Sequence, residues 1–561
     1  MIETHRVQPG KPAQKISATG SSGPVPLSAG DAGRHLWWQS GVIYQIYPRS
    51  FLDTDGDGVG DLAGIERRLD YLERLGVDAI WISPIYPSPM ADFGYDVSDY
   101  TDVHPLFGTL ADFDRLLDAT HARGMKLLLD FVPNHSSDLH PWFIESRSSR
   151  DNPKRDWYLW HDAAPDGGPP NNWRSVFGGS GWEWDASTEQ YYYHAFLKEQ
   201  PDLNWRNPAV QAAMLDVLRF WLDRGVDGFR VDVMWHMVKD ARLRDNPPNP
   251  AYHPGQPPYE ELLPSFSTDQ PEVHDLVARM RTLVDGYDER LIIGEIYLPI
   301  SRLVTYYGHN GSGAHLPFNF QLITLPWNAA TIAAAVSEYE GSLPLEGWPN
   351  WVLGNHDQPR VASRVGREQA RVAAMLLLTL RGTPTLYYGD ELGLHDVAIP
   401  PERIRDPQAL NMPGVGRSRD TARTPMQWTA EPNAGFSSAE PWLPISMDYR
   451  RFNVESERDD PYSMLSLHRR LLALRRAQPA LSVGSYTPVP TTGTVVSYVR
   501  EHDGARFLVA LNLSHAPTMI EPANPVVKGE IACATYVGRE GARVDGRILL
   551  AGDEGVVVRL D

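Results

Sequence analysis

The strongest constraint on how this chain can fold is a rhythm. Between residues 37 and 395, short runs suited to buried strands alternate with stretches whose apolar side chains recur at helical spacing. Strands are expected within 42–47, 77–86, 126–135, 225–237, 291–297, 351–357 and 383–391, with a weaker one inside 316–322. Between them lie Ile65, Leu69, Leu72 and Leu75, closed by Gly76. A second helix is expected over 111–123 on Phe113, Leu116 and Leu117, stopping at Gly124. A third covers 208–224 on Val210, Met214, Val217, Leu218 and Trp221, ending at Gly225. Glycine just past the last apolar position is a common helix stop. Strands that are apolar on both faces and joined through helices build parallel sheets. The rhythm therefore predicts an α/β chain, a (β/α)8 TIM barrel, with its chemistry at the C-terminal ends of the strands.

Three departures divide the chain further. Residues 1–34 are rich in Gly, Ser and Pro and read as a disordered N-terminal arm without the apolar core of a signal peptide. The barrel is expected over 35–130 and 205–478, interrupted by a loop-rich domain over 131–204 inserted after strand three. That insertion is Pro-, Gly- and Trp-rich, too long for an ordinary loop, and reads as one wall of a pocket. The proline-rich segment 243–272 is expected to lie irregularly over the barrel mouth. After a helix near 462–477 the pattern changes to strands over 494–499, 506–513, 547–552 and 555–560. Residues 479–561 thus read as an antiparallel C-terminal β domain.

The polar residues that interrupt the strand ends carry the chemistry. In 225–237, GVDGFRVDVMWHM, Arg230 and Asp232 stand two apart in an apolar run, so they share one face of a strand. Taken singly this is a structural ion pair, because a buried charge needs a partner. Asp130, Asn134 and His135 close strand three, Glu295 closes strand five, and His356 and Asp357 close strand seven. The loop DTDGDGVGD (53–61) gathers Asp53, Asp55, Asp57 and Asp61 around glycines. Four carboxylates so close repel unless a cation sits among them, and their spacing matches positions 1, 3, 5 and 9 of a calcium loop, with the Val59 carbonyl available. Position 12 is Gly64 where an EF-hand has Glu. A structural Ca2+ or Mg2+ is the expectation, with no organic cofactor; an Asp/Gly turn without metal is the alternative.

Composition narrows the partners. The 561 residues carry 52 basic and 71 acidic side chains, a formal charge of −19, which disfavours nucleic acid and anionic membrane. No apolar run approaches the ~20 residues of a membrane span. The single Cys533 gives neither a disulfide framework nor a thiolate metal site. The 17 Trp and 24 Tyr suit a carbohydrate ligand. A cytoplasmic enzyme, monomer or homodimer, acting on a small carbohydrate is the expected class.

Four segments in order, DFVPNH (130–135), GFRVDV (228–233), GEIY (294–297) and GNHDQPR (354–360), resemble the signature segments of the α-amylase clan, glycoside hydrolase family 13. QPDLNW (200–205) and RTPMQW (423–428) resemble its α-glucosidase and oligo-1,6-glucosidase branch. The likeness covers roughly residues 36–561. It implies an exo-acting retaining α-glucosidase with Asp232 as nucleophile, Glu295 as acid and base, and Asp357 as the third carboxylate. It assigns substrate contacts to Asp92, Tyr95, His135, Arg230, His356, Arg419 and Arg423, with Arg417 competing for the role of Arg419. Asp130 and Asn134 it assigns to architecture. A metal loop at 53–61 and a preference for α-1,6 links, through Val233 beside the nucleophile, also follow from the likeness. Strand alternation would turn Val233 away from Asp232. A transglucosylase or isomerase of trehalose synthase or sucrose isomerase type would share the same triad. A non-catalytic transporter heavy chain would carry a membrane anchor and altered carboxylates.

Overall fold

A computed structural model describes residues 35–415, 418–490, 493–522 and 527–561. The expectations for 1–34 and Arg417 lie outside those residues. Eight short parallel strands form one sheet: β1 (Ile43–Ile46), β2 (Ala79–Ile82), β3 (Lys126–Phe131), β4 (Gly228–Val231), β5 (Leu291–Gly294), β6 (Leu316–Pro317), β7 (Asn350–Val352) and β8 (Thr383–Tyr387). Their order is β7-β8-β1-β2-β3-β4-β5-β6, so the sheet curls into a nearly closed (β/α)8 barrel. All eight strands are almost wholly buried, which is why they read as continuous apolar runs.

The helices follow from local signals. Pro208–Arg224 starts at Asn207, whose side chain accepts from the Ala209 N–H, and stops at Gly225 in the left-handed region (φ 111°). Leu110–Ala122 starts at a Thr109–Asp112 capping box. The stretch from Ile65 to Leu75 is not one helix but two, Leu62–Arg67 and Leu69–Leu75. They part at Arg68, whose guanidinium lies 4.1 Å over the Trp428 ring.

Register is what brings the site together. Asp130 of β3 pairs with Arg230 of β4, which pairs with Ile293 of β5. Val231 pairs with Gly294, so Asp232 and Glu295 leave adjacent strands at the same height. The Asp232 N–H donates to Phe131 O (2.8 Å) and the Glu295 N–H to Val231 O (2.9 Å).

Strand six was the least legible because it holds only two residues, and among the described residues no backbone ladder joins β6 to β7. A side chain closes that seam. Asn350 Nδ2 donates to Pro317 O (2.5 Å), and Asn350 Oδ1 accepts from the Asn319 N–H (2.9 Å).

The insertion after β3 holds a helix, Pro141–Ser148, and a three-stranded antiparallel sheet of Trp160–His161, Gln190–Tyr193 and Trp182–Asp185. Its core is aromatic: Tyr193 packs edge to face on Trp173 and Trp182, which stack on each other. The C-terminal region forms a six-stranded antiparallel sheet and a two-stranded one. Val495–His502, Ala505–Asn512 and Gly555–Leu560 match the expected strands, whereas Ile548–Leu550 pairs apart with Thr518–Ile520. Ser485–Pro488, Lys528–Ala534 and Arg543–Asp545 complete the larger sheet; sequence patterning did not mark them.

Asn350→Ala should lower stability by about 1–3 kcal/mol, because it strands a buried carbonyl and a buried N–H together. Urea denaturation followed by tryptophan fluorescence checks this, and an unchanged midpoint would mean that packing alone closes the seam.

Candidate active site

The site is built on one guanidinium. Arg230 is 1% exposed and meets three carboxylates: Nη1 to Asp130 Oδ1 (2.7 Å) and Asp232 Oδ1 (2.7 Å), Nη2 to Glu295 Oε2 (2.6 Å). One positive charge cannot neutralise three negative ones in a buried setting. Burial pushes the Asp232 carboxyl well above its ordinary range, with Arg230 opposing and Glu295 reinforcing the rise. Burial likewise raises Glu295, against the pull of Arg230 and with the charge of Asp357. Full ionisation of both carboxyls is therefore disfavoured, and the two titrate as a pair.

Asp357 sits in the opposite field. Burial alone would raise it, but His356, Arg423, Arg419 and Arg230 hold it well below the usual carboxylate range. Arg423 Nη2 lies 2.9 Å and Arg419 Nη1 3.3 Å from Asp357 Oδ1. Arg423 Nε also donates to His356 O (2.8 Å). Arg419 Nη2 reaches Asp92 Oδ1 and Asp406 Oδ1, both at 2.7 Å. Two arginines thus tie the strand-seven carboxylate to the loop that carries Asp92.

The two histidines are shifted in the same direction for one reason. Burial lowers His135 to about 4 and takes His356 well below its ordinary value. His356 Nδ1 faces Gln45 Nε2 and its Nε2 faces the Tyr95 hydroxyl, both at 2.8 Å. The Tyr95 ring stacks on His356 (5.4 Å, 6°), and its hydroxyl donates to Asp130 Oδ2 at 3.0 Å. Asp130, assigned to architecture, is thus part of the charged cluster. His135 Nε2 lies 3.0 Å from Tyr95 O and 3.2 Å from Gln200 Nε2.

A cavity of about 420 Å3 opens over these groups, bordered by Asp92, Tyr95, His135, Asp232, Glu295 and Asp357. Arg419 also borders it, whereas Arg230 and Arg423 stand behind the wall. Phe196 of the insertion and Tyr259 of the proline-rich segment close the sides, and that segment's one regular element is a short 3-10 helix, Pro258–Glu261.

Val233 departs from the alternation argument. The strand ends at Val231, and Val233 adopts a left-handed conformation (φ 35°, ψ 48°), strained for a β-branched residue. That turn aims the Val233 N–H at Glu295 Oε2 (2.8 Å) and places the residue on the cavity wall. Sequence reasoning also missed two supports. Gln200 bridges His135 and Asp92 and could have been marked by its place in QPDLNW, whereas Asp406, which grips Arg419, has no motif.

In the 53–61 loop, carboxylate oxygens of Asp53, Asp55 and Asp61 lie within 4.8 Å of one another; Asp57 stands outside this trio. Asp57 Oδ1 instead accepts the Val59 N–H (2.7 Å), and burial together with its acidic neighbours raises its carboxyl. Three hard oxygen donors suit a hard cation. Asp53 also accepts from three backbone N–H groups and Ser437, and Asp61 caps the helix Leu62–Arg67.

Comparison with known proteins agrees with this geometry. Residues 45–484 match the family model for the α-amylase catalytic domain. A probable α-glucosidase of Rhizobium meliloti (strain 1021) is 44% identical over 85% of this chain and 89% of its own length. An oligo-1,6-glucosidase of Parageobacillus thermoglucosidasius is 39% identical over 85% of this chain and 91% of its own. The crystal structure of the alpha-glucosyl transfer enzyme XgtA superposes with a TM-score of 0.89 at 44% identity, over 94% of this chain and all of that one. No helix among the described residues is long and apolar enough to cross a membrane. The chain belongs to the α-amylase family, glycoside hydrolase family 13, and is an enzyme of its α-glucosidase and oligo-1,6-glucosidase branch.

Proposed function

We propose that this protein is an exo-acting retaining α-glucosidase that removes glucose from the non-reducing end of short α-linked gluco-oligosaccharides. The observation that supports it is the single guanidinium of Arg230 holding Asp232 and Glu295 together beneath the cavity. Asp232 attacks the anomeric carbon while protonated Glu295 gives its proton to the departing oxygen. The glycosyl ester on Asp232 is then hydrolysed by water that Glu295 deprotonates. Arg230 counters the charge on Asp232 at each step. Asp357, kept ionised by Arg419 and Arg423, accepts from sugar hydroxyls and favours the distorted ring. Asp92 and Arg419, paired at 2.7 Å on the cavity wall, would grip the hydroxyls of a terminal sugar.

Transfer is the second reading, favoured by the likeness to the alpha-glucosyl transfer enzyme. The two share every step up to the glycosyl ester and differ in what attacks it. Incubation with a panel of α-linked disaccharides and identification of products decides between them: free glucose supports hydrolysis, and longer or rearranged sugars support transfer.

Proton NMR of the earliest products should show α-glucose, since two displacements restore the configuration; β-glucose first would overturn the mechanism. Asp232→Asn should cost roughly a thousandfold or more in kcat with the fold intact, the scale on which loss of a nucleophile acts.

Asp53, Asp55 and Asp61 would hold a structural Ca2+ or Mg2+, which supplies charge compensation for the loop and no chemistry to the sugar. Chelation should lower Tm more than it lowers the initial rate, because a ligand bound by the folded state adds stability by mass action. Equal melting temperatures for chelated and metal-loaded protein would leave the loop as an Asp/Gly turn.

Linkage preference is assigned to Val233, which borders the cavity beside both catalytic carboxylates. Its branched side chain narrows the space for an α-1,4-linked leaving sugar and still admits the more flexible α-1,6 link. One such contact is worth ~1–3 kcal/mol, so isomaltose should be preferred to maltose in kcat/KM without excluding it. Val233→Thr should narrow or reverse the ratio, and an unchanged ratio would pass linkage choice to the loops 136–204 and 243–272.

A further inference from the structure

A second cavity, of about 340 Å3, lies at the opposite end of the barrel from the catalytic carboxylates. Val42 precedes β1 and Asp78 precedes β2; Arg475 and Arg476 end the helix Met464–Ala477; His502 ends the strand Val495–His502. The cavity therefore sits where the barrel base meets the C-terminal domain.

Its chemistry is cationic. Arg475 is 2% exposed, and its guanidinium donates only to carbonyls. Nη1 reaches Leu378 and Leu380 (both 3.1 Å) and Leu481 (2.8 Å), and Nη2 reaches Gly382. Its Nε has no partner among the described residues. Arg500, fully buried beside it, shares the Leu481 carbonyl (2.8 Å) and otherwise also meets only carbonyls, those of Thr379, Ser482, Gly484 and Ser485. Among the described residues neither arginine has a carboxylate at ion-pair distance. Burial pushes Arg475 down to about 10 and Arg500 down to about 9, the latter helped by the charge of Arg475. Carbonyls at the ends of the helices Arg367–Thr379 and Pro479–Ser482 supply part of the missing negative charge.

The rim adds more positive character. Arg476, half exposed, donates to Gly76 O (3.0 Å) and Asp78 Oδ1 (2.9 Å). Among the described residues Asp78 is the one acidic side chain bordering the cavity, and its other oxygen accepts the Val42 N–H (2.9 Å). The rings of His35 and His502 lie 6.3 Å apart, tilted by 59°, and His502 Nε2 also lies 3.4 Å from Asp503 Oδ2 on the solvent side. A guanidinium fork, a second arginine and two imidazoles around a cavity are the donors that a tetrahedral oxyanion requires.

We propose that this cavity binds a phosphate-type oxyanion, as free orthophosphate or as the phosphate of a small phosphomonoester, between Arg475, Arg476, His35 and His502. Its volume is at the lower end of the roughly 300–1,000 Å3 of small-molecule sites and accommodates either form. Occupancy joins the barrel base to the C-terminal domain and so stabilises the fold. It leaves turnover unchanged, because the catalytic carboxylates stand at the other end of the strands.

Melting curves of the whole protein, at constant ionic strength, with millimolar orthophosphate and separately with glycerol 3-phosphate, test this. The expected result is a saturable rise in Tm with kcat unaltered. Affinity should fall about tenfold or more in Arg476→Ala and in His502→Ala, each of which removes a hydrogen-bond donor. Tighter binding of orthophosphate assigns the free ion, and tighter binding of glycerol 3-phosphate assigns a phosphomonoester. Phosphate also stabilises proteins by exclusion from their surfaces, an effect that does not saturate and survives both substitutions. A rise of that kind only, or no rise, would overturn the proposal; titration calorimetry on the unaltered protein decides it even if a variant fails to fold.

Discussion

Everything at the catalytic end depends on a buried cation that must serve three carboxylates. A guanidinium in the barrel interior costs several kcal/mol unless it is paired. Arg230 is paired with Asp130, Asp232 and Glu295 at once because β3, β4 and β5 are in the register that sets those residues side by side. The excess of negative charge is equally costly, and burial pushes both the Asp232 and the Glu295 carboxyl up. A site with two carboxylates, one charged and one protonated, is the arrangement that acid-assisted displacement needs. Stability and chemistry thus draw on the same interaction.

The surroundings hold that arrangement in place. Arg419 and Arg423 fix Asp357 from the segment after β8, and Asp406 fixes Arg419 in turn. The same segment meets the acidic loop: Ser437 donates to Asp53, and the Trp442 N–H donates to Gly58 O. Ser50, just before that loop, donates to Arg423 O. The loop at 53–61 and the residue just before its start thus pack on the same segment that carries Arg419 and Arg423.

Much of this was legible in the sequence, for a physical reason. Strands buried on both faces must be apolar, so a charged residue at a strand end stands out, and Arg230, Asp232, Glu295 and Asp357 did. Positions set by backbone geometry were not legible. The family likeness singled out Val233, but not the left-handed turn it occupies, which only the tertiary structure imposes. Strand six is two residues long and is held at its open edge by the Asn350 side chain, which no periodicity reports. The spacing of the acidic loop marked four carboxylates alike, and it does not report that those of Asp53, Asp55 and Asp61 cluster while Asp57 accepts the Val59 N–H beside them. Asp406 and Gln200 act through other residues, so their value appears only once the partners are in place.

The central claim is that Arg230 delivers Asp232 as the nucleophile and Glu295 as the acid. Mass spectrometry tests it most directly. Glu295→Gln would be treated with an α-glucoside whose leaving group departs without protonation, then digested with protease. The account predicts one added glucosyl unit, on the peptide that carries Asp232. An adduct on the peptide carrying Asp357, or turnover with no adduct at all, would contradict it.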